Sequence, residues 1–188
     1  MDGVSGITAV VFAADVATLL VLLAGIVWSV IRPERRIWPP PGRHSWQYVL
    51  TWTCTVAAAA FSGALIFLDW NSWVFPGGLR FLVGVPLALL GGLLALWGVA
   101  TIGWTNSSGV RDGFVRAGPY RFTRNPQYVG DAVLLLGLGI VADSALFWVA
   151  HALAALCFII SPLSEEVWLA EQYGDEYERY RRATPRFL

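Results

Sequence analysis

Five apolar stretches, divided by short polar segments, run along the chain. A helix needs about 20 mostly apolar residues to cross the hydrocarbon core of a bilayer. Ile7 to Ile31 meets that requirement with one interruption, Asp15. Trp46 to Leu68 and Leu79 to about Ile102 follow. Tyr128 to Val141 is short for a span, and Ala145 to Leu163 is adequate. Asp143 and Ser144 alone separate the last two, which predicts a tight helical hairpin whose short arm is accommodated by tilt or local thinning of the bilayer. The pattern therefore predicts an all-α, polytopic membrane protein with about five transmembrane helices. Residues 1–188 read as a single membrane domain. Three spans fill 1–104, and 105–188 hold a polar loop, the hairpin and an amphipathic C-terminal helix.

That last helix is predicted over Ser164 to Ala183. Trp168, Leu169, Tyr173, Tyr177 and Tyr180 recur there at helical spacing, with Glu and Arg between them. Ser164 suits an N-cap, and Glu165 and Glu166 suit the positive end of the helix dipole. Gly174 should weaken or break the helix, and Pro185 should end it. Pro33, Pro39, Pro40 and Pro41 predict an extended Arg32 to Arg43 loop. Gly84, Gly91, Gly92 and Gly98 in the third span predict close helix contact.

Composition agrees with a lipid-facing protein. Hydrophobic residues are 56% and charged residues 14%, too apolar for a soluble domain of this size. Net charge is zero, which removes the electrostatic case for a nucleic-acid partner. All 13 basic residues are arginine. Arg32, Arg35, Arg36 and Arg43 lie between spans one and two. Arg111, Arg116, Arg121 and Arg124 lie between spans three and four, and Arg179, Arg181, Arg182 and Arg186 follow span five. Five spans put these twelve on one side and leave only Arg80 on the other. The positive-inside rule then predicts the N-terminus outside and the C-terminus in the cytoplasm. Asp2 precedes the first run without a basic n-region or a cleavage site, so that run is expected to be a retained span. Trp46, Trp52, Trp70, Trp73 and Trp104 fall near span ends and read as interfacial anchors.

Cys54 and Cys157 sit inside apolar runs, and the two histidines, His44 and His151, offer no ligand spacing. No metal site is expected. Asp15 and His151, ionisable groups within spans, read as packing partners. Asp131 adjoins the polar loop and is a candidate for lining a site there.

Two polar segments fall on the same predicted face. One runs Gly118-Pro119-Tyr120-Arg121-Phe122-Thr123-Arg124-Asn125-Pro126-Gln127-Tyr128-Val129-Gly130. The other carries Glu165-Glu166, then Tyr173-Gly174-Asp175-Glu176-Tyr177, Tyr180 and Pro185-Arg186-Phe187. Together they resemble the isoprenylcysteine carboxyl methyltransferase and phospholipid methyltransferase superfamily. Its pattern joins Gly-x-Tyr…Arg-His-Pro-x-Tyr-x-Gly to Glu-Glu…Phe/Tyr-Gly-x-x-Tyr-x-x-Tyr…Pro-Arg. The resemblance covers Thr105 to Leu188, in the right order, with a helical hairpin between the parts.

The resemblance implies S-adenosylmethionine bound at the cytoplasmic end of the last spans. Carried over by position, its contacts are Asp112, Gly113, Phe114 and Val115, then Tyr120, then Asn125, Pro126, Gln127 and Tyr128, and finally Glu165, with Thr105 more weakly aligned. Two positions depart from the carboxyl methyltransferase pattern. Asn125 stands for the usual His; it can still donate and accept hydrogen bonds but cannot titrate. Ser161 stands where those enzymes place an Arg for the substrate carboxylate, four residues before the first Glu, which argues against a prenylcysteine acceptor. Ser161 and Arg124 remain the candidate substrate-binding positions, with Arg121 and Arg124 also suited to anchoring at anionic lipid.

The residues themselves support part of this. No strand-Gly-x-Gly-x-x-Gly-helix unit exists, so any cofactor site must come from loops and helix ends. Methyl transfer from a sulfonium is an in-line displacement that needs alignment and exclusion of water rather than a metal. Glu165 and the Tyr120 or Tyr128 ring suit a cation. Glu166 could take the proton of an amine acceptor, so Glu165 and Glu166 are the candidate catalytic pair. The reading is a multi-pass methyltransferase using S-adenosylmethionine on a lipophilic or amine small-molecule acceptor that enters from the bilayer. A sterol-reductase-like enzyme using a nicotinamide cofactor and a non-catalytic membrane subunit are the alternatives.

Overall fold

The computed structural model describes residues 5–75 and 77–187; Asp2 and Leu188 lie outside them. The described residues are helical with no strand. Helix α1 is Gly6–Ile31, α2 Trp46–Leu68, α3 Leu79–Ser107, α4 Pro126–Ala142 and α5 Ala145–Ala183. Short polar residues start three of them. Ser5, Ser45 and Ser144 side chains accept from the backbone N–H three residues on, at 3.2, 3.2 and 3.0 Å. Pro126 opens α4, where its missing N–H costs nothing. Helices α1, α2, α3 and α5 are long and apolar enough to cross a membrane, and α4 is a shorter apolar helix. Its 17 residues reach about 26 Å at 1.5 Å per residue, slightly less than the core thickness. The protein is an integral membrane protein.

Two expectations are refined, and the break expected at Gly174 is present. The C-terminal amphipathic helix is not separate: α5 runs unbroken through Pro162 and Ser164, so Ser164 caps nothing and instead donates to the Trp38 carbonyl at 2.5 Å. The interruption falls at Gly174, with φ 51° and ψ −130°, a region that only glycine enters readily. Helix α3 likewise breaks at Gly103, which separates Trp104 to Ser107 from the span proper.

The tightest packing joins α3 to α4. Gly84, Gly91 and Gly98 recur every seven residues on α3, and Gly130 and Gly137 do so on α4. A Cβ on Gly91 would lie 2.3 Å from the Leu134 nitrogen and 2.6 Å from the Gly130 carbonyl. One on Gly137 would lie 2.3 Å from the Ala88 nitrogen and 2.6 Å from the Gly84 carbonyl. The two backbones touch, so no side chain can yield to make room. Between α1 and α2, the buried Asp15 accepts from Ser62 at 2.7 Å, the packing role expected for it. A bond of this kind contributes about 0.6 kcal/mol on average in membrane helices, so it sets register more than stability.

The lone arginine of the opposite end is also accounted for. The α4–α5 turn places Asp143 in the left-handed region, with φ 50°. Its backbone carbonyl accepts from Ser72 and Trp73, and its side chain accepts from Phe75 N–H. Arg80, 8% exposed, sits 3.6 Å from the Asp143 carboxylate, donates to Asn71 at 2.6 Å and lies under the Trp70 ring. The α2–α3 loop and the α4–α5 turn are thus one polar knot at one end of the bundle. The Arg32–Arg43 loop, the α3–α4 loop and the C-terminal residues meet at the other.

Gly91→Ala is expected to lower thermal stability in detergent by about 1–3 kcal/mol, the usual range for overpacking against an unyielding neighbour. Gly92→Ala, one residue away with only the Leu134 methyl at 3.9 Å, should leave the midpoint nearly unchanged. Equal effects in a thermal melt would refute the backbone seam.

Candidate functional site

At the arginine-rich end the helix termini do not close on one another. They leave a cavity of about 130 Å³ that opens to the outside. Its walls come from the end of α3, the α3–α4 loop, the start of α4, the outer part of α5 and the segment before α2.

The α3–α4 loop is held by Asn106. Its Nδ2 donates to the Ile102 carbonyl at 3.0 Å and the Asp112 carbonyl at 3.1 Å, while its Oδ1 accepts from Asp112 N–H at 2.8 Å. That clamp presents Gly113, Phe114 and Val115 to the cavity. Gly113 has φ +89° and open space at its Cβ position. Phe114 stacks on Tyr173 with centroids 5.0 Å apart and meets Tyr180 edge-on at 5.6 Å. A 3-10 turn, Gly118–Arg121, carries Tyr120. Gln127 Nε2 donates to the Tyr120 hydroxyl at 2.9 Å and to Ser107 Oγ at 2.8 Å. Burial, and then the Glu165 charge, push the Tyr120 phenol above the usual tyrosine range despite the Gln127 bond.

The two adjacent glutamates have different partners. Glu166 is 8% exposed and receives Arg124 Nη1 at 2.9 Å, Arg186 Nε at 2.6 Å and Arg186 Nη2 at 2.9 Å. The Glu166 bond also raises the Arg186 pKa. The C-terminal segment of this cluster is fixed further along its backbone. Arg124 N–H donates to the Pro185 carbonyl at 2.9 Å, and Thr123 Oγ1 and Asn125 Nδ2 donate to the Arg186 carbonyl at 3.0 and 2.9 Å. Glu165 has only neutral partners: Trp38 Nε1 donates to its Oε1 at 2.6 Å, and the Tyr128 hydroxyl donates to the same oxygen. Among the described residues no donor reaches Oε2 and no cation pairs with this carboxylate.

The cavity gathers Gly113, Phe114, Val115, Tyr120, Asn125, Gln127, Tyr128, Glu165, Glu166 and Arg124 from the expected positions. Four others stand off it. Thr105 lies in the last turn of α3 and accepts from Arg43 at 2.5 Å. The Asp112 side chain is exposed, and only its backbone serves the clamp. Pro126 is buried as the first residue of α4, and Ser161 is buried within α5. Asp131, one turn further along α4, does not line the cavity either.

Trp38, Asn106, Ser107 and Trp168 line the cavity without having been singled out for it. Trp38 had one signal in the sequence, its place in an arginine-rich loop on the same face. Tyr177 and Tyr180 pack as expected and also line the wall; Tyr180 donates to the Tyr120 carbonyl at 2.7 Å. His151 stacks beside Phe147, away from the cavity. Among the described residues, no group of three or more His, Cys, Asp or Glu side chains is placed to hold a metal ion.

The model of the phospholipid methyltransferase family matches residues 79–176, just over half of the chain. The chain belongs to this family. The matched segment starts at the first residue of α3 and ends just past Gly174, so it takes in most of the cavity wall and leaves out α1, α2 and Trp38. The chain is also 33% identical over 120 residues to the cobalt-zinc-cadmium resistance protein CzcN of Cupriavidus metallidurans, covering 63% of this chain and 52% of that protein. It spans about half the length of this curated relative. No solved structure gives a significant match. Nothing in these comparisons supports the reductase-like alternative, and the family implies membrane methyl transfer in general terms.

In this family member the arginine knot generates a stability prediction. Glu166→Gln leaves the Arg124 side chain, 10% exposed, without a counter-charge, and should cost about 3–5 kcal/mol. Arg186→Gln removes a partner that is 39% exposed and leaves Arg124 on Glu166, so its cost should be clearly smaller. Thermal melts of the two variants compare them; a larger loss for Arg186→Gln would contradict the assignment.

Proposed function

We propose that the chain is a methyltransferase that uses S-adenosylmethionine and acts on a lipophilic acceptor reaching the cavity from the bilayer. The observation that carries this is the uncompensated Glu165 carboxylate in a cavity built jointly by the two segments that resemble the superfamily. A half-buried carboxylate that faces a cavity favours a cationic ligand when its protein partners are all neutral. The aromatic walls of the cavity suit both a purine ring and a positive charge.

Bound donor would supply an electrophilic methyl group on a sulfonium sulfur. The chain's own residues hold and align. Glu165 and Tyr128 are proposed to meet the donor's α-ammonium group, which S-adenosylhomocysteine retains. Tyr120, Gln127, Phe114 and the Gly113–Val115 backbone would shape the remainder, with Asn125 between the cavity and the C-terminal residues. The Phe114, Tyr173 and Tyr180 cluster would exclude water. Glu166 is assigned a positioning role, because three guanidinium N–H donors already occupy it. Arg124 is likewise committed to Glu166, and Ser161 offers no guanidinium. These two facts support an uncharged or amine acceptor over a carboxylate. The positive-inside rule, applied to twelve arginines, supports an N-terminus outside and a C-terminus in the cytoplasm. The chain is read as one membrane domain.

Calorimetric titration of the purified protein with S-adenosylhomocysteine tests the site. Glu165→Ala should weaken binding by about 10- to 100-fold, the worth of a hydrogen bond to a charged group. Unchanged affinity would remove Glu165 from the site, and no binding by the wild type would favour the non-catalytic reading. Incubation with isotope-labelled donor and total membrane lipid, followed by mass spectrometry, should show label in an apolar product; label confined to water-soluble acceptors would contradict the lipophilic assignment.

A further inference from the structure

The segment joining α1 to α2 lies outside the residues matched by the family, yet one of its side chains reaches the centre of the cavity. We propose that Trp38 is a positioning residue of the donor site: its indole N–H fixes the Glu165 carboxylate while leaving that carboxylate's charge free for the ligand. This inference rests on the donor reading above.

The geometry holds Trp38 from several directions. Its backbone N–H donates to Ser29 Oγ of α1 at 3.0 Å, and Ile37 N–H donates to the same oxygen at 2.8 Å. Its carbonyl accepts from Ser164 Oγ of α5 at 2.5 Å. Its ring lies against Gly109, where a Cβ would fall 2.9 Å from two ring carbons and 2.8 Å from Pro40. Flanking contacts pin the same segment. Arg36 donates to the Pro39 carbonyl at 3.1 Å and lies 3.8 Å from Glu171, and Arg43 bonds Thr105. The indole is therefore placed by α1, α5 and the α3–α4 loop together, and its N–H ends 2.6 Å from Glu165 Oε1.

The chemistry of the donor explains why an indole suits this place. Indole is a donor only and carries no charge. It can orient one carboxylate oxygen without cancelling the negative charge, whereas an arginine there would cancel it, as Arg124 and Arg186 do for Glu166. A carboxylate held at Oε1 by two neutral donors presents Oε2 in a fixed direction. The rotamer entropy of the glutamate is then lost on folding rather than on ligand binding.

The test is a double-mutant cycle on the full chain in detergent, with S-adenosylhomocysteine as the calorimetric probe. Trp38→Phe keeps a ring against Gly109 and removes the N–H. It should weaken binding by about tenfold or more. On a Glu165→Ala background the same substitution should change affinity by less than about twofold, because the two act as a unit. A merely structural role would give the same loss on both backgrounds, and that additivity would overturn the proposal, as would wild-type affinity for Trp38→Phe. Trp28→Phe removes another indole donor that serves this segment, to the Arg35 carbonyl at 3.1 Å, and should bind like wild type. Should Trp38→Phe fail to fold, benzothienylalanine at position 38 exchanges only the N–H for sulfur and should show the same loss. A wild type that binds nothing rejects the donor reading itself; a wild type that binds normally beside an indifferent or additive Trp38→Phe rejects only the role of Trp38.

Discussion

The approach of the α3 and α4 backbones is the constraint on which the rest depends. Glycines at 84 and 91 meet those at 137 and 130 with no room for a β-carbon at the tightest points. The seam does not end inside the membrane. Its last member, Gly98, would place a Cβ 2.7 Å from the Gln127 side chain, and Gln127 bridges Tyr120 and Ser107 at the cavity wall. Interhelix packing thus continues into site geometry without a break. Lipid offers no hydrophobic drive between helices, so close van der Waals contact of this kind must supply much of the association. A rigid helix pair is also what an alignment-dependent reaction needs from its scaffold.

On that scaffold, two neighbouring carboxylates take opposite electrostatic roles. Both lie on α5 at the level of the cavity. Glu166 meets two guanidinium groups, which ties the α3–α4 loop and the residues after α5 into one unit. Glu165 meets an indole and a phenol, which orient it without supplying a counter-charge. Burying a charge without a counter-charge is unfavourable. Glu165 is half-buried and its pKa is raised, mainly by burial; a cationic ligand in the cavity would offset the cost of its charged form. The contrast arises one residue apart on one helix, so it comes from what the surrounding segments bring rather than from α5 itself.

Most of the fold was legible because membrane helices obey a simple rule. Backbone groups in lipid must be satisfied within the segment, so apolar length marks a helix with little ambiguity; α2 begins and ends at the residues its apolar run predicts. The start of the C-terminal helix was not legible. Ser164 has the chemistry of a cap, but its hydroxyl is taken by Trp38 from a segment 126 residues away. Motif order brought Tyr120, Gln127, Tyr128 and Glu165 together, because those residues sit at helix ends on one face. It could not tell that Thr105 and Asp112 serve the loop rather than the cavity. That distinction depends on the break at Gly103 and on the Asn106 clamp, and a linear pattern shows neither. Trp38 was hidden for a related reason: its loop read as an extended connection, and its value comes from contacts distant in sequence.

The architecture also separates the residues matched by the family from the helices that precede them. The matched residues supply the glycine seam, the loop, the paired glutamates and most of the aromatic wall. The preceding helices supply Trp38, and they reach it through firm connections: Asp15 to Ser62 between α1 and α2, Ser29 to the backbone of Ile37 and Trp38, and Arg43 to Thr105. A shift in how α1 packs must therefore move the indole, and with it the orientation of Glu165. The first two spans are not a passive anchor under this arrangement. They pack directly on α5, and through the Trp38 indole they also reach the Glu165 carboxylate in the cavity.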